Sequence, residues 1–512
     1  MTARIAHFWM RWQRWLLPAL ALLAVLLPDL AEARVGGGQN YSGGSSSGSS
    51  GGFSGGSSGG GGDLSGLLFW LLVKHPAIGV PVVIVVIAVV VVKKYSETQG
   101  GFGSSPAPQS RVVRRDAPRS RSEAGIEAIK ERDPGFSEVL LVDFFQLLYV
   151  RGRKLGVPGA DRGPLRPWFT DQAQGQLQLG RRLGSVEDVV FGAVRTIGVL
   201  QVKGQDRLTI EVEANLIATA TDGSPRHVLR RERWVLARKT GVTSPGPDRM
   251  RALGCAACGA VEEPRPTGEC PACGQPRLGG QIQWIVDEVR ILEDRNLGST
   301  EVHLGGGIEP GYHRPDVLDP ELALHKREFL TRHPDHDWRA FEARVERTFR
   351  ALQAAWSDGS FASTRALQSD NLFQVHRFWL DRYARDGLRN RLEDVEVQCV
   401  RLVRVGRDAW YETVVVRIFA KMRDWTERAD TGELVGGSKT DARVFSEYWT
   451  FVRAIGAQDR AAEHGEDECP ACGAPLDKLS MAGVCGYCEA KITTGDFDWV
   501  LSRIEQDEAY RG

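Results

Sequence analysis

Eight of the nine cysteines in this 512-residue chain fall into two sets of four. The first is Cys255, Cys258, Cys270 and Cys273, and the second is Cys469, Cys472, Cys485 and Cys488. Each set is a pair of C-x-x-C hooks, with 11 residues between hooks in the first and 12 in the second. Two residues between ligands let one tight turn supply two thiolates, and four thiolates satisfy a tetrahedral zinc ion. With sulfur at all four positions no site is open for water, so the spacing predicts two structural zinc ions, each clamping a loop. A redox role for the C-x-x-C pairs is the rival reading. Nucleic-acid binding by the knuckles would need exposed basic and aromatic residues. The first offers Arg251, Arg265 and Arg277, and the second Lys478 and Tyr487, a thin set.

The flanks of the two sets run in register. Glu232-Arg233-Trp234 and Arg238 precede the first, and Glu447-Tyr448-Trp449 and Arg453 precede the second. Trp234 lies 21 positions before Cys255, and Trp449 lies 20 before Cys469. Trp284 follows Cys273 by 11, and Trp499 follows Cys488 by 11. Self-similarity at a fixed offset marks repeats, so the chain reads as two copies of one unit. The alternative is two convergent zinc ribbons in unrelated domains.

The N-terminus carries an address. Arg4, Arg11 and Arg14 precede an apolar stretch from Leu16 to Leu27, and Ala31-Glu32-Ala33 has the form of a cleavage site, so residues 1–33 read as a signal peptide. Residues 34–63 are almost wholly Gly and Ser, the composition of a disordered tether. Residues 67–92 are predicted to span the membrane. The Val/Ile run from Ala77 to Val92 is short for a hydrocarbon core of about 30 Å, and Leu67 to Val73 makes up the length. Lys93, Lys94, Arg111, Arg114 and Arg115 follow the span, and the Gly/Ser stretch from Gly36 to Gly62 before it has no basic residue. The positive-inside rule then places the C-terminal domains in the cytoplasm and the tether outside. A reducing compartment agrees with metal-bound cysteines, whereas the inverted topology would permit four disulfides. Lysines plus arginines equal aspartates plus glutamates at 65 each, so net charge argues for no nucleic-acid partner.

Residues 93–121 form a polar linker. The first unit, 122–296, opens with an apolar helix from Phe136 to Val150 and a second helix capped by Thr170 and running to about Arg181. Strands Val189 to Val202, Arg207 to Ala220 and His227 to Lys239 follow, and Gln281 to Leu292 closes the unit. Residues 297–334 are a linker. The second unit, 335–512, has Trp338, Phe341, Val345, Phe349, Leu352 and Trp356 at helical spacing, capped by Asp337 or Asp335. A helix from Asp370 to Gly387 is followed by strands Glu393 to Val405, Tyr411 to Asp424 and Arg443 to Arg453, with a long loop from Thr426 to Thr440. The fold class is α+β, with helices packed on a curved antiparallel sheet in each unit.

Glu232 and Arg238 share one strand face, as do Glu447 and Arg453. With Trp234 and Trp449 they are the pocket candidates. They either line a ligand pocket or form structural ion pairs across or beside the sheet. Cys399 reads as a core residue. The ten histidines are scattered, and no phosphate loop, nucleophile elbow or catalytic metal pattern is present.

The second unit resembles the Tim44-like domain family. The resemblance is carried by the Trp338 to Trp356 helix, Asp358-Gly359-Ser360, the Asp370 helix and Arg389-Asn390-Arg391-Leu392-Glu393-Asp394-Val395. With them go Phe419 to Asp424 and, most specifically, Glu447-Tyr448-Trp449-Thr450-Phe451-Val452-Arg453. The layout of signal, Gly/Ser stretch, span, domain and C-terminal knuckle is similar to bacterial membrane proteins of that family. The first unit matches only through Glu232, Trp234 and Arg238. The resemblance implies a cone like that of nuclear transport factor two, with an apolar pocket between helices and sheet. It implies a non-enzymatic tether at a bacterial inner membrane, with membrane lipid, a protein partner, or an apolar or lipid-like small ligand as its contacts. A pocket enzyme of the isomerase kind on the same fold is the alternative. The mitochondrial members lack these zinc knuckles and this signal-plus-span layout.

Overall fold

Alternation in the second strand of the first half sets the plan of that half. Leu208, Ile210, Val212, Ala214, Leu216 and Ala218 all point to one face and are no more than 2 % exposed. A computed structural model describes residues 33–34, 37–38, 121–177, 183–296, 307–457, 468–507, 510 and 512. The signal segment up to residue 32, most of the tether and the whole of the 67–92 span lie outside the described residues. Among those described, no helix is long and apolar enough to cross a membrane. Two short strands, β1 (Ala33–Arg34) and β2 (Gly37–Gly38), pair antiparallel.

The first half begins with α1 (Arg121–Arg132) and α2 (Glu138–Leu155). Ser137 caps α2 by accepting from the Leu140 N–H at 3.2 Å. The short helix α3 (Asp171–Gln176) is capped by Thr170. Four antiparallel strands follow in the order β3 (Leu183–Val202), β4 (Gln205–Ala220), β5 (Pro225–Lys239) and β6 (Ile285–Asn296). One turn of helix, α4 (Pro247–Met250), and the first cysteine set lie between β5 and β6. The α2 side chains Phe145 and Tyr149 pack on Trp234 of β5, with ring centroids 5.5 and 5.0 Å away. Four register shifts interrupt the β3–β4 ladder, and bulges of that kind bend and twist an edge strand.

The second half has the same order of elements. Helices α5 (Leu322–Arg332), α6 (Trp338–Asp358) and α7 (Asp370–Arg385) precede strands β8 (Leu388–Arg407), β9 (Tyr411–Arg428), β10 (Leu434–Ala454) and β11 (Val500–Gln506). The sheet order is β11-β10-β9-β8, and the second cysteine set lies between β10 and β11. Of the α6 stripe expected from helical spacing, Phe341, Val345, Phe349, Leu352 and Trp356 are buried and Trp338 is half-buried, and the Phe349 ring packs tilted against Trp449 of β10 at 5.3 Å. Asp337 caps α6 by accepting from the Arg339 N–H. Gly359 closes the helix at φ 77°, a left-handed conformation that glycine adopts without a Cβ clash.

Three expectations need correction. The segment 426–440 is not a long loop. β9 and β10 continue through most of it, and the turn between them is confined to 429–433. Gly437, at φ 80°, permits this by passing a bulge where a Cβ would strike the Asp424 carbonyl. The segment 297–334 is not merely a linker, because its described part is built into the second half. There Phe329 of α5 is fully buried, and β7 (Gly307–Ile308) pairs in parallel with β10. Residues 307–317 cross the outer face of the second sheet. They are fastened there by Arg417, which donates to the carbonyls of Gly311 and Arg314 and pairs with Asp316 and Asp507 at 2.7 Å each. Lastly, the described helix after Thr170 ends at Gln176, short of Arg181.

The two halves share one compact body. Val190 of β3 sits in the second core, and Tyr411 of β9 sits in the first. Ser137 donates to Asp408 at 2.6 Å, and the Trp410 indole donates to the Gly135 carbonyl at 3.1 Å.

His376 on α7 is the most strongly perturbed histidine in the core. Its Nδ1 lies 2.7 Å from the Gln368 Oε1, its ring stacks on Phe361, and burial drives its pKa down to about 3. The unfolded chain takes up this proton near pH 6.5 while the folded chain refuses it until about pH 3, so folding stability is lost as pH falls through that window. We expect this residue to contribute a loss of about 2 kcal/mol between pH 8 and pH 5. Denaturant titrations at the two pH values should show that loss, and His376→Gln should reduce it.

Candidate functional site

Each cysteine set is built from two hooks of the same shape. In all four the residue after the second cysteine turns left-handed: Gly259, Gly274, Gly473 and Glu489, at φ 84°, 71°, 73° and 61°. The amide of each turns back to the carbonyl of the first cysteine of its hook, at 2.7 to 2.9 Å. These turns aim the thiols inward. Within each set all four Sγ atoms lie within 4.8 Å of one another, and the resolved Sγ–Sγ distances are 3.7, 3.7 and 3.9 Å. A zinc ion with bonds of about 2.3 Å to four sulfurs requires tetrahedron edges of about 3.8 Å. A disulfide needs about 2.05 Å, and all these cysteines are free. The residues therefore fit a tetrathiolate metal. In each set two ligands are buried and two face solvent. Burial opposes ionisation of Cys270 and Cys485. Backbone N–H groups of their own hooks, from Ala272 and Cys273 and from Tyr487 and Cys488, outweigh it and bring both thiols down to about 7.

The structure places the six pocket candidates in walls rather than around an opening. Glu232, Trp234, Glu447 and Trp449 are fully buried, and Arg238 and Arg453 are 1 and 2 % exposed. Each tryptophan donates its indole N–H to the glutamate two residues before it, at 3.3 Å in the first half and 3.0 Å in the second. Where the resemblance implies an apolar pocket, Phe145, Tyr149 and Phe169 crowd Trp234, and Phe349 and Phe451 crowd Trp449. A small cavity lies elsewhere, against Trp168, Gly254 and Arg277, and none of the six reaches it.

Glutamate and arginine on the shared strand face do not pair with each other. Glu232 pairs with Arg153 at the end of α2 at 2.7 Å. Burial, and then the Glu232 charge, hold the nearby Tyr149 hydroxyl well above the usual phenol range. Glu447 instead accepts from the Gln506 amide at 3.1 Å. Arg238 pairs with Asp133 at 2.7 Å and lies 4.0 Å from Asp206. Arg453 pairs with Glu412 at 3.3 Å, and Glu412 also meets His333 at 2.7 Å and Arg332 at 3.4 Å. Both arginines cover a tryptophan of the segment beyond the knuckle, Arg238 over Trp284 at 4.2 Å and Arg453 over Trp499 at 4.6 Å. Sequence reasoning missed Asp133, Arg153, Asp206, Glu412 and Gln506. For Asp133 the available signal was the likeness of Arg132-Asp133-Pro134 to Arg332-His333-Pro334, each just ahead of the second helix of its half.

Residues 322–461 match the family model of the Tim44-like domain. The match runs from the start of α5 to just past β10, so it excludes the second cysteine set and β11. No curated protein and no solved structure matches the chain.

Removing one member of a buried ion pair leaves the other charge uncompensated, at a cost of about 3–5 kcal/mol. Arg153→Met should therefore destabilise the protein by that order in chemical denaturation. Arg153→Met/Glu232→Leu should restore part of the loss, because neither charge of the pair is then left without its partner, though the Trp234 indole loses its acceptor.

Proposed function

We propose that this chain is a membrane-anchored scaffold. It presents two zinc-stabilised binding units to the cytoplasm and holds a protein partner, with lipid as its second contact, at the membrane. The single observation that carries this reading is the match of 322–461 to the Tim44-like domain, in a body whose candidate pockets are packed shut. A filled core offers its outer surfaces, not an enclosed cavity, to a partner. The Val/Ile-rich segment 67–92 supplies the anchor, and the basic residues after it supply the orientation. Zinc is the metal that suits four thiolates in closed tetrahedra, and its role here is structural.

We further propose that the two halves are copies of one unit. Supporting this, Thr170 and Ser369 both cap the third helix of their half and donate a backbone N–H to the last strand, at Val286 and Leu501. Gly280 and Gly495 make the same backbone contact to the strand before the knuckle, accepting from Lys239 and Ala454 at 2.8 Å. The enzyme alternative draws little support, since both glutamates are sealed away from any substrate.

Cross-linking of the full chain in its native membrane, followed by purification and mass spectrometry, tests the scaffold. Reproducible capture of one translocation, chaperone or envelope-assembly complex is the expected result. Recovery of lipid or a metabolite alone would contradict a protein tether. In sealed cells a membrane-impermeant maleimide should fail to label the exposed Cys258, Cys273, Cys472 and Cys488, and labelling from outside would reverse the topology.

A further inference from the structure

The second cysteine set reaches across the body in a way that its clamping role does not require. Arg365, only 2 % exposed, donates its Nε to the Met481 carbonyl, in the loop between the two hooks, at 2.8 Å. The same guanidinium donates to the Gln368 carbonyl at 3.0 Å and pairs with Asp370, the first residue of α7. From the other limb of the knuckle, Lys491 and Thr493 bind the same carboxylate at 2.5 and 2.9 Å. Thus both sides of the metal loop converge on Asp370. The next residue, Asn371, donates its side-chain amide to Gln146 of α2, in the other half. Further along α7, Phe378 lies 6.3 Å from the His227 ring of β5 and Arg385 lies 2.9 Å from the His227 Nε2. One helix therefore lies between the second metal loop and the first half.

The first cysteine set is tied to the seam from its N-terminal side. Arg249 donates to the Ala256 carbonyl inside the first hook at 2.9 Å. Two residues on, Arg251 pairs with Asp143 of α2 at 3.3 Å and donates to the Tyr411 hydroxyl of β9. Asp370, by contrast, takes two of its three side-chain partners, Lys491 and Thr493, from the second loop, and the third, Arg365, is itself bonded to that loop at Met481.

We propose that the second knuckle is a metal-dependent latch on one side of the seam between the halves: a bound ion fixes the start of α7 against α2, and loss of that ion loosens this contact. The inference rests on the reading of the cysteine sets as metal sites. Without the ion, the Met481 and Lys491 limbs lose their common tether. Asp370 then loses the hold of Lys491 and Thr493, and the presentation of Asn371 to Gln146 loosens. By reciprocity, a change that loosens the seam weakens metal binding at the second site.

The test uses the full chain in detergent. Metal content comes first: fewer than two ions in the wild-type chain would overturn the metal reading itself. With two ions present, Cys472→Ser/Cys488→Ser removes two exposed ligands of the second site. Amide hydrogen exchange should then rise by about tenfold in the first turns of α7 and in α2 around Gln146. Cys258→Ser/Cys273→Ser should leave the start of α7 unchanged. Should the second-site variant fail to fold, Asn371→Ala keeps every ligand. It should still bind two ions, with the affinity of one of them lowered roughly fivefold in competition with a chelator. Unchanged exchange at α2 and α7 after loss of the second ion, or unchanged affinity in Asn371→Ala, would overturn the latch.

Discussion

The contact on which each half depends is an arginine lying over a tryptophan. Arg238 over Trp284 and Arg453 over Trp499 join the strand that enters a cysteine knuckle to the segment that leaves it. Both partners are almost fully buried, so the guanidinium has little water to solvate it and the ring face and carboxylates do that work instead. Asp133 supplies the carboxylate in the first half and Glu412 in the second. Through these contacts a metal loop at the sheet edge, the last strand and the segment before the second helix become one mechanical unit. Zinc would fix the loop, and the arginine would transmit that fixity to the sheet.

This arrangement explains why the interiors are filled. A pocket beneath the sheet would need the face carrying Glu232, Trp234, Glu447 and Trp449 to be open. Instead each indole turns its N–H onto the neighbouring carboxylate, and aromatic side chains from the long helix cover the ring. The carboxylates are thereby spent on internal hydrogen bonds. A tether of the kind proposed would then meet its partner through the outside of the body.

Much of the architecture was legible because it is written in local periodicity. The stripe on α6 and the alternation on β4 are short-range patterns, and they specify their elements directly. The cysteine hooks were legible for the same reason, since two intervening residues dictate one turn. What escaped was set by tertiary contact. Arg153 near the end of an apolar helix looks like a cation placed for the helix dipole, and only the fold shows it meeting Glu232. Residues 307–317 lack any period, and their place on the second sheet depends on Arg417, about a hundred residues away in sequence. Gly436 and Gly437 read as a loop, although one of them is a bulge in a continuing hairpin.

X-ray absorption at the zinc edge of the purified full chain tests whether the cysteine sets are closed tetrathiolate sites. Two zinc ions per chain are expected, each with four sulfur neighbours at about 2.3 Å and no bound oxygen or nitrogen. An oxygen neighbour would indicate an open site. Absence of zinc together with disulfide-bonded cysteines would contradict both the metal clamp and the cytoplasmic orientation.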